Sequence, residues 1–311
     1  MKAVVANSNQ PGCLELGEVA EPVVDYNESL ITVTGFSLNR GELRRAQSAP
    51  DGTQIGWDLV GVVKNAARDG SGPSEGNRVV GFSRRMCGWA QRVALPTRDF
   101  TVIPDAVSER DAATLPVAGL TALYALERCE RLLGSKILVT GASGGVGYFA
   151  CQLGRLMGAE VVAQLRRTDF VDVVRATNVN DVIISTDGTG LEAQGKFRAI
   201  IDGVGGPVLS KLLPQLDERG RAILYGVSAG PEVTLAVREL FLTGDGRIEG
   251  FHLYRETEIE SAAKGLDRLL RLVADKCLIT HVPITDNWNN IGETATRLIG
   301  RDFPGKAVLT I

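Results

Sequence analysis

The sequence is poor in the residues that build metal centres and disulfide frameworks. Its 311 residues include two histidines, His252 and His281, and five scattered cysteines, no two of them at CxxC spacing. A catalytic zinc needs three protein ligands, and disulfide scaffolds carry an even set of cysteines at regular spacings. We therefore expect no metal, no disulfides and a reducing, cytoplasmic location.

An excess of one charge and a long apolar run are also absent. The formal net charge is -3 and the isoelectric point is near 5.6, which does not favour binding to nucleic acid or to acidic membranes. No apolar run approaches the roughly 18 residues of a membrane span, and the first residues lack the pattern of a signal peptide. We expect a globular protein whose partner is a small molecule, with no nucleic acid and no membrane.

The first third of the chain has the pattern of a β-rich domain. Short apolar runs separated by Gly, Pro, Asn and Asp predict strands. These runs are Met1–Ala6, Ser29–Phe36, Leu59–Val63, Arg78–Phe82 and Trp89–Leu95. Ser108 is then the predicted N-cap of a helix, and Pro116–Leu126 predicts a further, apolar helix.

From Lys136 onward, apolar strands alternate with helices, which predicts a parallel sheet covered on both faces. The predicted strands are Lys136–Thr140, Glu160–Leu165, Asp181–Ile184, Ala199–Asp202 and Ala222–Tyr225; the predicted helices are Val146–Met157, Phe170–Ala176 and Val208–Leu216. The rest of the chain predicts a long helix over Ile259–Ala274, a β-like segment at Leu278–Ile284, a helix near Asn289–Ile299 and a last strand at Lys306–Ile311. We therefore expect an α/β protein with a Rossmann domain inserted into a split β-rich domain, divided as 1–112, 113–256 and 257–311.

The strongest local motif is a glycine turn between a predicted strand and a predicted helix. Gly141, Gly144 and Gly147 follow the strand at three-residue spacing. In dinucleotide-binding turns the first glycine permits the bend, the second lets the backbone approach a pyrophosphate, and the third allows close packing of helix and strand. The strand, helix and second strand around the turn supply the context that this motif requires.

An arginine pair after the second strand indicates which dinucleotide binds. Arg167 lies 20 residues after Gly147, where an NAD site places an acidic residue, and Arg166 precedes it. Two guanidinium groups can bind a 2′-phosphate, so the pair favours NADPH over NADH. A solvated basic pair at a strand end is the alternative. We expect Asp169 to cap the following helix.

With these residues in view, the chain resembles the quinone oxidoreductase branch of the medium-chain dehydrogenase/reductase superfamily. The resemblance covers nearly the whole chain. Its motifs are FSLNRGELRRA at 36–46, GWDLVGVV at 56–63, NRVVGF at 77–82, GWAQRVALP at 88–96, IPDAVSERDAATLPVAGLTALYAL at 103–126, GASGGVG at 141–147, IDGVGG at 201–206 and GKAVLTI at 305–311. It implies a GroES-like substrate domain formed by both termini, a Rossmann domain between them, and a homodimer built through the Rossmann sheets.

The resemblance also implies a set of cofactor-binding residues. Asn39 would lie near the nicotinamide ribose, and Thr121 would approach the nicotinamide. Ser143, Gly144, Gly145 and Val146 would form the pyrophosphate turn. The remaining implied contacts are Gly203, Val204, Tyr225, Gly226, Phe251 and Lys306. For Asn39 and Lys306 a purely structural role is the open alternative.

The zinc-dependent members of the superfamily differ at the ligand positions. The sequence has Asn39–Arg40 where they carry a cysteine and Trp57 where they carry a histidine, although Asp58 keeps an acidic residue. A tyrosine that many quinone reductases carry shortly after Asn39 is missing. Without a metal, a conjugated carbonyl is an easier acceptor than a simple ketone, because the added hydride leaves a delocalised enolate.

We therefore expect an NADPH-dependent oxidoreductase that passes a hydride to a small electrophilic quinone or enone without zinc. His252 is the candidate proton donor, and a surface histidine is the alternative interpretation. Trp57, Phe36 and Phe251 are candidate walls of an apolar pocket. An NADPH-binding redox sensor or scaffold with little catalysis is the competing hypothesis.

Overall fold

The computed structural model describes residues 1–311 and contains fifteen strands and ten α-helices. The strands are β1 Lys2–Ala6, β2 Leu14–Glu18, β3 Glu28–Ser37, β4 Asp58–Asn65, β5 Arg78–Phe82, β6 Arg92–Pro96, β7 Phe100–Val102, β8 Lys136–Val139, β9 Glu160–Leu165, β10 Asp181–Ile184, β11 Phe197–Asp202, β12 Leu216–Leu224, β13 Arg247–Gly250, β14 Ile284–Asn287 and β15 Ala307–Thr310. The helices are α1 Arg40–Ser48, α2 Glu109–Ala112, α3 Leu120–Glu127, α4 Gly145–Leu156, α5 Val171–Arg175, α6 Gly206–Leu212, α7 Val237–Phe241, α8 Leu253–Ile259, α9 Ala262–Ala274 and α10 Ile291–Gly300.

Two units make up the chain. The first combines residues 1–120 with residues 254–311, and the second is residues 121–253. Both chain termini therefore belong to one unit, and the other unit is inserted between them. None of the helices is both long enough and apolar enough to cross a lipid bilayer.

The first unit is built on a mostly antiparallel sheet. Its strand order is β14-β15-β3-β4-β5-β7, with β6 also paired to β3, and β1 and β2 form a separate hairpin. The strand β15 pairs with β3 across more than 270 residues of sequence, at Val308 with Ser37 and Leu309 with Phe36. This pairing joins the C-terminal segment to the β-rich N-terminal segment in one sheet, as the resemblance implied.

The second unit contains a six-stranded sheet in which every pair of neighbours is parallel. The strand order is β10-β9-β8-β11-β12-β13. Numbered from β8, this is the Rossmann order 3-2-1-4-5-6, in which ligands bind at the carboxyl ends of the strands where the order reverses. The central strands β8, β9 and β11 are almost wholly buried, which agrees with their mostly apolar sequences.

Some predicted elements differ from the observed ones. Helix α1 was not predicted, because its sequence is rich in arginine and has few apolar residues. The predicted long helix at Ile259–Ala274 is confirmed as α9 except at its start, because Ile259 ends the separate helix α8 and Ser261 caps α9 by accepting from the Lys264 N–H. The predicted strand at Leu278–Ile284 is wrong, because β14 begins at Ile284. The N-cap at Ser108 is confirmed, with its hydroxyl accepting from the Asp111 N–H at 3.1 Å.

Candidate functional site

The glycine turn joins β8 to α4 in the second unit. Gly141 has a φ of +61°, which a glycine adopts without strain, and its carbonyl accepts from the Gly144 N–H at 2.9 Å. A Cβ added to Gly147 would lie 2.8 Å from the Ala142 Cα, so α4 packs against the turn at a distance that only glycine allows. The geometry of the backbone therefore requires the first and third glycines.

Gly144 differs from these two glycines. It is exposed and has an ordinary φ of -81°, and an added Cβ would meet only the Gly141 carbonyl oxygen, at 3.4 Å. Gly144 is the N-cap of α4 and supplies no side-chain cap, so the first N–H groups of the helix remain available. Open space, free N–H groups and the positive end of a helix dipole together fit a pyrophosphate.

Two buried polar side chains hold the turn in place. Gln164 on β9 accepts from the Gly141 N–H at 3.0 Å through its side chain and from the Ala142 N–H at 2.9 Å through its backbone. Asp202, at the end of β11, accepts from the Thr140 hydroxyl at 2.6 Å and from the Gly205 N–H at 2.8 Å. Burial raises the pKa of Asp202. The sequence analysis missed both residues, although each is a buried polar residue in the carboxyl-terminal half of a mostly apolar strand.

The arginine pair directly follows β9. Arg166 is exposed, and Arg167 is half-buried and pairs with Asp169 at 2.8 Å, with its guanidinium 4.7 Å from the centre of the Phe170 ring. The expectation that Asp169 caps the next helix is wrong, because Phe170 is the N-cap of α5 and no side chain caps it. Instead, the bond from Arg167 lowers the pKa of Asp169.

The other predicted cofactor residues of this unit follow neighbouring strands of the sheet. Gly203 and Val204 follow β11, Tyr225 and Gly226 follow β12, and Phe251 follows β13. Because parallel strands end at one edge, these positions share that edge with the glycine turn and the arginine pair. The Tyr225 ring packs against Gly203, where a Cβ would lie 2.6 Å from it, and burial raises the pKa of Tyr225.

The remaining predictions in this unit concern Thr121 and His252. Thr121 is buried at the start of α3, and His252 is exposed after β13. The Phe251 ring is covered by the Arg128 guanidinium, 5.3 Å from the ring centre. The assignment of these residues to cofactor or proton transfer stays a prediction.

In the first unit, Asn39 and Lys306 belong to a cluster of polar and ionisable groups, which we call the carboxylate cluster and which also contains Glu42 and Asp58; Asn39 is half-buried and the other three are buried. Lys306 is 4% exposed, and its Nζ donates to the Leu38 carbonyl at 2.8 Å, to Asn39 Oδ1 at 2.5 Å and to Asp58 Oδ2 at 3.1 Å. Asn39 Nδ2 donates to Asp58 Oδ2 at 2.7 Å. The contacts observed for both predicted residues are with the protein, and their role towards the cofactor stays a prediction.

The cluster contains two acidic side chains and one cation, and the cation pairs with Asp58. Glu42 and Asp58 are both fully buried. Burial and the charge of Asp58 raise the pKa of Glu42 to about 8, against the opposing effect of Lys306 and of N–H groups donated by Trp57 and Asn39. The Glu42 carboxyl oxygens accept those two backbone N–H groups at 2.6 Å each. Sequence reasoning missed Glu42, which lies on the unpredicted helix α1.

Of the candidate pocket aromatics, Phe36 is a core residue. It is fully buried and stacks on Trp89 with ring centres 4.9 Å apart. Trp57 is half-buried and lies beside the carboxylate cluster, to which its backbone N–H donates. No group of three or more His, Cys, Asp or Glu side chains is arranged to hold a metal ion.

Comparison with known families gives a consistent result. A sequence profile described as zinc-binding dehydrogenase matches residues 145–268. The chloroplast envelope quinone oxidoreductase homolog of Arabidopsis thaliana is 32% identical over 266 residues, which is 78% of this chain and 80% of that protein. The 2-methylene-furan-3-one reductase of Solanum lycopersicum is 28% identical over 202 residues, covering 60% of this chain and 52% of that protein.

The fold is shared with solved structures. The crystal structure of Escherichia coli quinone oxidoreductase complexed with NADPH superposes with a TM-score of 0.87 at 19% identity, covering all of both chains. At that identity the likeness establishes the two-unit architecture alone.

Proposed function

The chain belongs to the quinone oxidoreductase-like branch of the medium-chain dehydrogenase/reductase superfamily, and we propose on that basis that it is an NADPH-dependent reductase of small conjugated carbonyl compounds, quinones or enones. The observation that carries the proposal is the edge of the parallel sheet. There an uncapped helix N-terminus at Gly144 and two arginines follow adjacent strands. The names of the relatives agree with a reductase of quinones or enones.

The residues of the second unit support the choice of cofactor. The N–H groups at the start of α4 would hold the pyrophosphate, and Arg166 and Arg167 would bind the 2′-phosphate that distinguishes NADPH from NADH. The ion pair with Asp169 and the contact with the Phe170 ring already restrain the Arg167 side chain. The side chain therefore loses less conformational freedom when it binds the 2′-phosphate. When bound, the cofactor supplies a hydride to the substrate. The Escherichia coli neighbour was solved with NADPH.

We propose that the reaction proceeds without zinc. Of the positions at which zinc-dependent relatives hold the metal, Asn39 and Trp57 are not metal ligands, and Asp58 already accepts bonds from the Lys306 ammonium and the Asn39 amide. A divalent cation at Asp58 would be repelled by that buried ammonium. Dialysis against a strong chelator should leave turnover and thermal stability unchanged. A stoichiometric metal whose removal abolishes turnover would overturn this proposal.

A turnover assay tests the activity directly. Purified protein with NADPH and a panel of quinones and enones should oxidise NADPH in proportion to substrate, with less activity on saturated ketones. A saturated ketone lacks the conjugation that stabilises the enolate, and the carboxylate cluster provides no Lewis acid. Tight NADPH binding with no turnover on any acceptor would favour the redox sensor or scaffold instead.

We also propose that the protein forms a homodimer. Strand β13 is one of the two edge strands of the parallel sheet, and the preceding residues Phe241 and Leu242 are 73% and 71% exposed. An unpaired edge beside exposed apolar side chains suits pairing with the same edge of another chain. Sedimentation should show a dimer that Phe241→Glu weakens, and a monomeric wild type would contradict this.

A reducing cytoplasm remains our proposed location, and fractionation of the producing cells tests it.

A further inference from the structure

Trp57 differs from the other two tryptophans of the chain. Trp89 is fully buried and Trp288 is 6% exposed, whereas Trp57 is half-buried. A half-buried aromatic ring is common by itself, but this one is restrained at several points.

The restraints act on both ends of the residue. Its backbone N–H donates to the buried Glu42 carboxyl at 2.6 Å, and its indole Nε1 donates to the Tyr254 hydroxyl at 2.6 Å. The ring also lies against the bare backbone of Gly41, where an added Cβ would be 2.7 Å from it. Rotating the indole would break the Nε1 bond, so the ring has one preferred orientation.

Tyr254 is itself held in place. Its hydroxyl donates to the Arg84 carbonyl at 3.0 Å, so it both accepts and donates. Its ring lies edge-on to Phe82 at 5.5 Å and beneath the Arg84 guanidinium at 5.5 Å. Burial raises the pKa of Tyr254. Tyr254 is therefore a positioning residue for Trp57.

The indole is fixed next to a predicted site residue. Glu42 accepts the backbone N–H groups of both Asn39 and Trp57, so one buried carboxyl sets the position of both residues. From this geometry we propose that Trp57 is a preset aromatic wall that selects flat, ring-shaped acceptors such as naphthoquinones over open-chain enones. The proposal rests on the proposed function and names the substrate class within it.

The physical reason is stacking without reorganisation. A planar ring placed on an aromatic face gains more than its buried area alone provides, and a ring that is already oriented loses little conformational freedom when the substrate arrives. An open-chain enone presents too small a flat surface to gain equally. Removing the indole should therefore act on ring substrates in particular.

Two measurements test the proposal, and the first needs neither cofactor nor turnover. Naphthoquinone added to the wild-type protein should cause saturable quenching of tryptophan fluorescence, and Trp57→Phe should remove most of that saturable part. Trp288→Phe is the matched control, because Trp288 belongs to the core, and it should retain the quenching. Saturable quenching that survives in Trp57→Phe at the wild-type amplitude would overturn the proposal.

The second measurement compares two substrates. Trp57→Leu should raise KM for naphthoquinone about three- to tenfold and change KM for methyl vinyl ketone less than twofold, with kcat nearly unchanged for both. Tyr254→Phe should shift the naphthoquinone KM in the same direction by less. Equal shifts for both substrates would overturn the proposal. If the wild type reduces neither compound, the proposed function fails, while the quenching titration still decides whether Trp57 binds a ring.

Discussion

The glycine turn of the second unit and the carboxylate cluster of the first both contain residues that the sequence predicts to contact the cofactor, yet they are built in opposite ways. The turn carries its chemistry in backbone N–H groups, and its side chains are absent where a ligand would approach. The cluster carries its chemistry in polar side chains that are bonded to one another, and three of them, Glu42, Asp58 and Lys306, are almost wholly buried.

This difference predicts which substitutions each region tolerates. Space at Gly144 is open, so a change there should affect the ligand and spare the fold. Asp58 and Lys306 have no such space or solvent, so a change there should affect the fold first. The following variants test that division, beginning with the largest expected effect.

Lys306→Met should destabilise the first unit by about 3–5 kcal/mol, because it leaves the buried Asp58 carboxylate without its cation. Chemical denaturation at pH 7 measures this loss. Lys264→Met, at an exposed lysine on α9, is the control and should cost little. The double variant Lys306→Met with Asp58→Asn should be more stable than Lys306→Met alone. A single variant as stable as the wild type would show that the cluster is solvated.

Gly144→Val should leave the free protein near its normal melting temperature but abolish its stabilisation by NADPH. That stabilisation is about 2.7 kcal/mol when the cofactor is at one hundred times its dissociation constant. Thermal melting with and without NADPH measures it. Gly147→Ala is the informative contrast, since its Cβ would lie 2.8 Å from the Ala142 Cα and should disrupt the fold itself. A Gly144→Val protein that still gains stability from NADPH would place the cofactor elsewhere.

Replacing Arg166 and Arg167 together with Ala should weaken NADPH binding about ten- to hundredfold, or about 1.4–2.8 kcal/mol, and NADH binding hardly at all. The loss stays moderate because Arg167 already pairs with Asp169 in the free protein. Titration of both cofactors against wild type and double variant measures the ratio. Arg175→Ala, at an exposed arginine on α5, is the matched control. Equal losses for the two cofactors would remove the assignment of the pair to the 2′-phosphate.

The smallest expected effect concerns pH. The folded pKa of Glu42, about 8, lies above its ordinary value of 4.5, so the folded chain holds a proton that the unfolded chain has lost. Stability therefore falls as pH rises through this range, by about 1 kcal/mol between pH 7 and pH 8. Asp99, whose folded pKa is raised by burial to about 6, acts mainly below this window. Glu42→Gln should flatten the slope, and an unchanged slope would assign it to another group.

The sequence was most informative where structure depends on local pattern. The strands around the glycine turn were predicted within a few residues, because a buried parallel strand is an unbroken apolar run and its turn needs glycine at fixed positions. Ser108 was predicted as an N-cap for the same reason, since capping involves residues three apart in the chain. Helix α1 was missed, because its buried face has only two apolar residues, Leu43 and Ala46, which is too few to form the apolar stripe that predicts a helix.

Local pattern thus determined the alternation of strands and helices around the glycine turn, the turn itself and the arginine pair, all of which depend on neighbours in sequence. Tertiary structure alone decided that Lys306 pairs with Asp58 across 248 positions and that Trp57 meets Tyr254 across 197. Both contacts depend on the C-terminal segment returning to the first unit, where β15 joins β3. Burial then changes the chemistry of the groups it encloses, because the energy of a charge depends on everything packed around it and not on its neighbours along the chain.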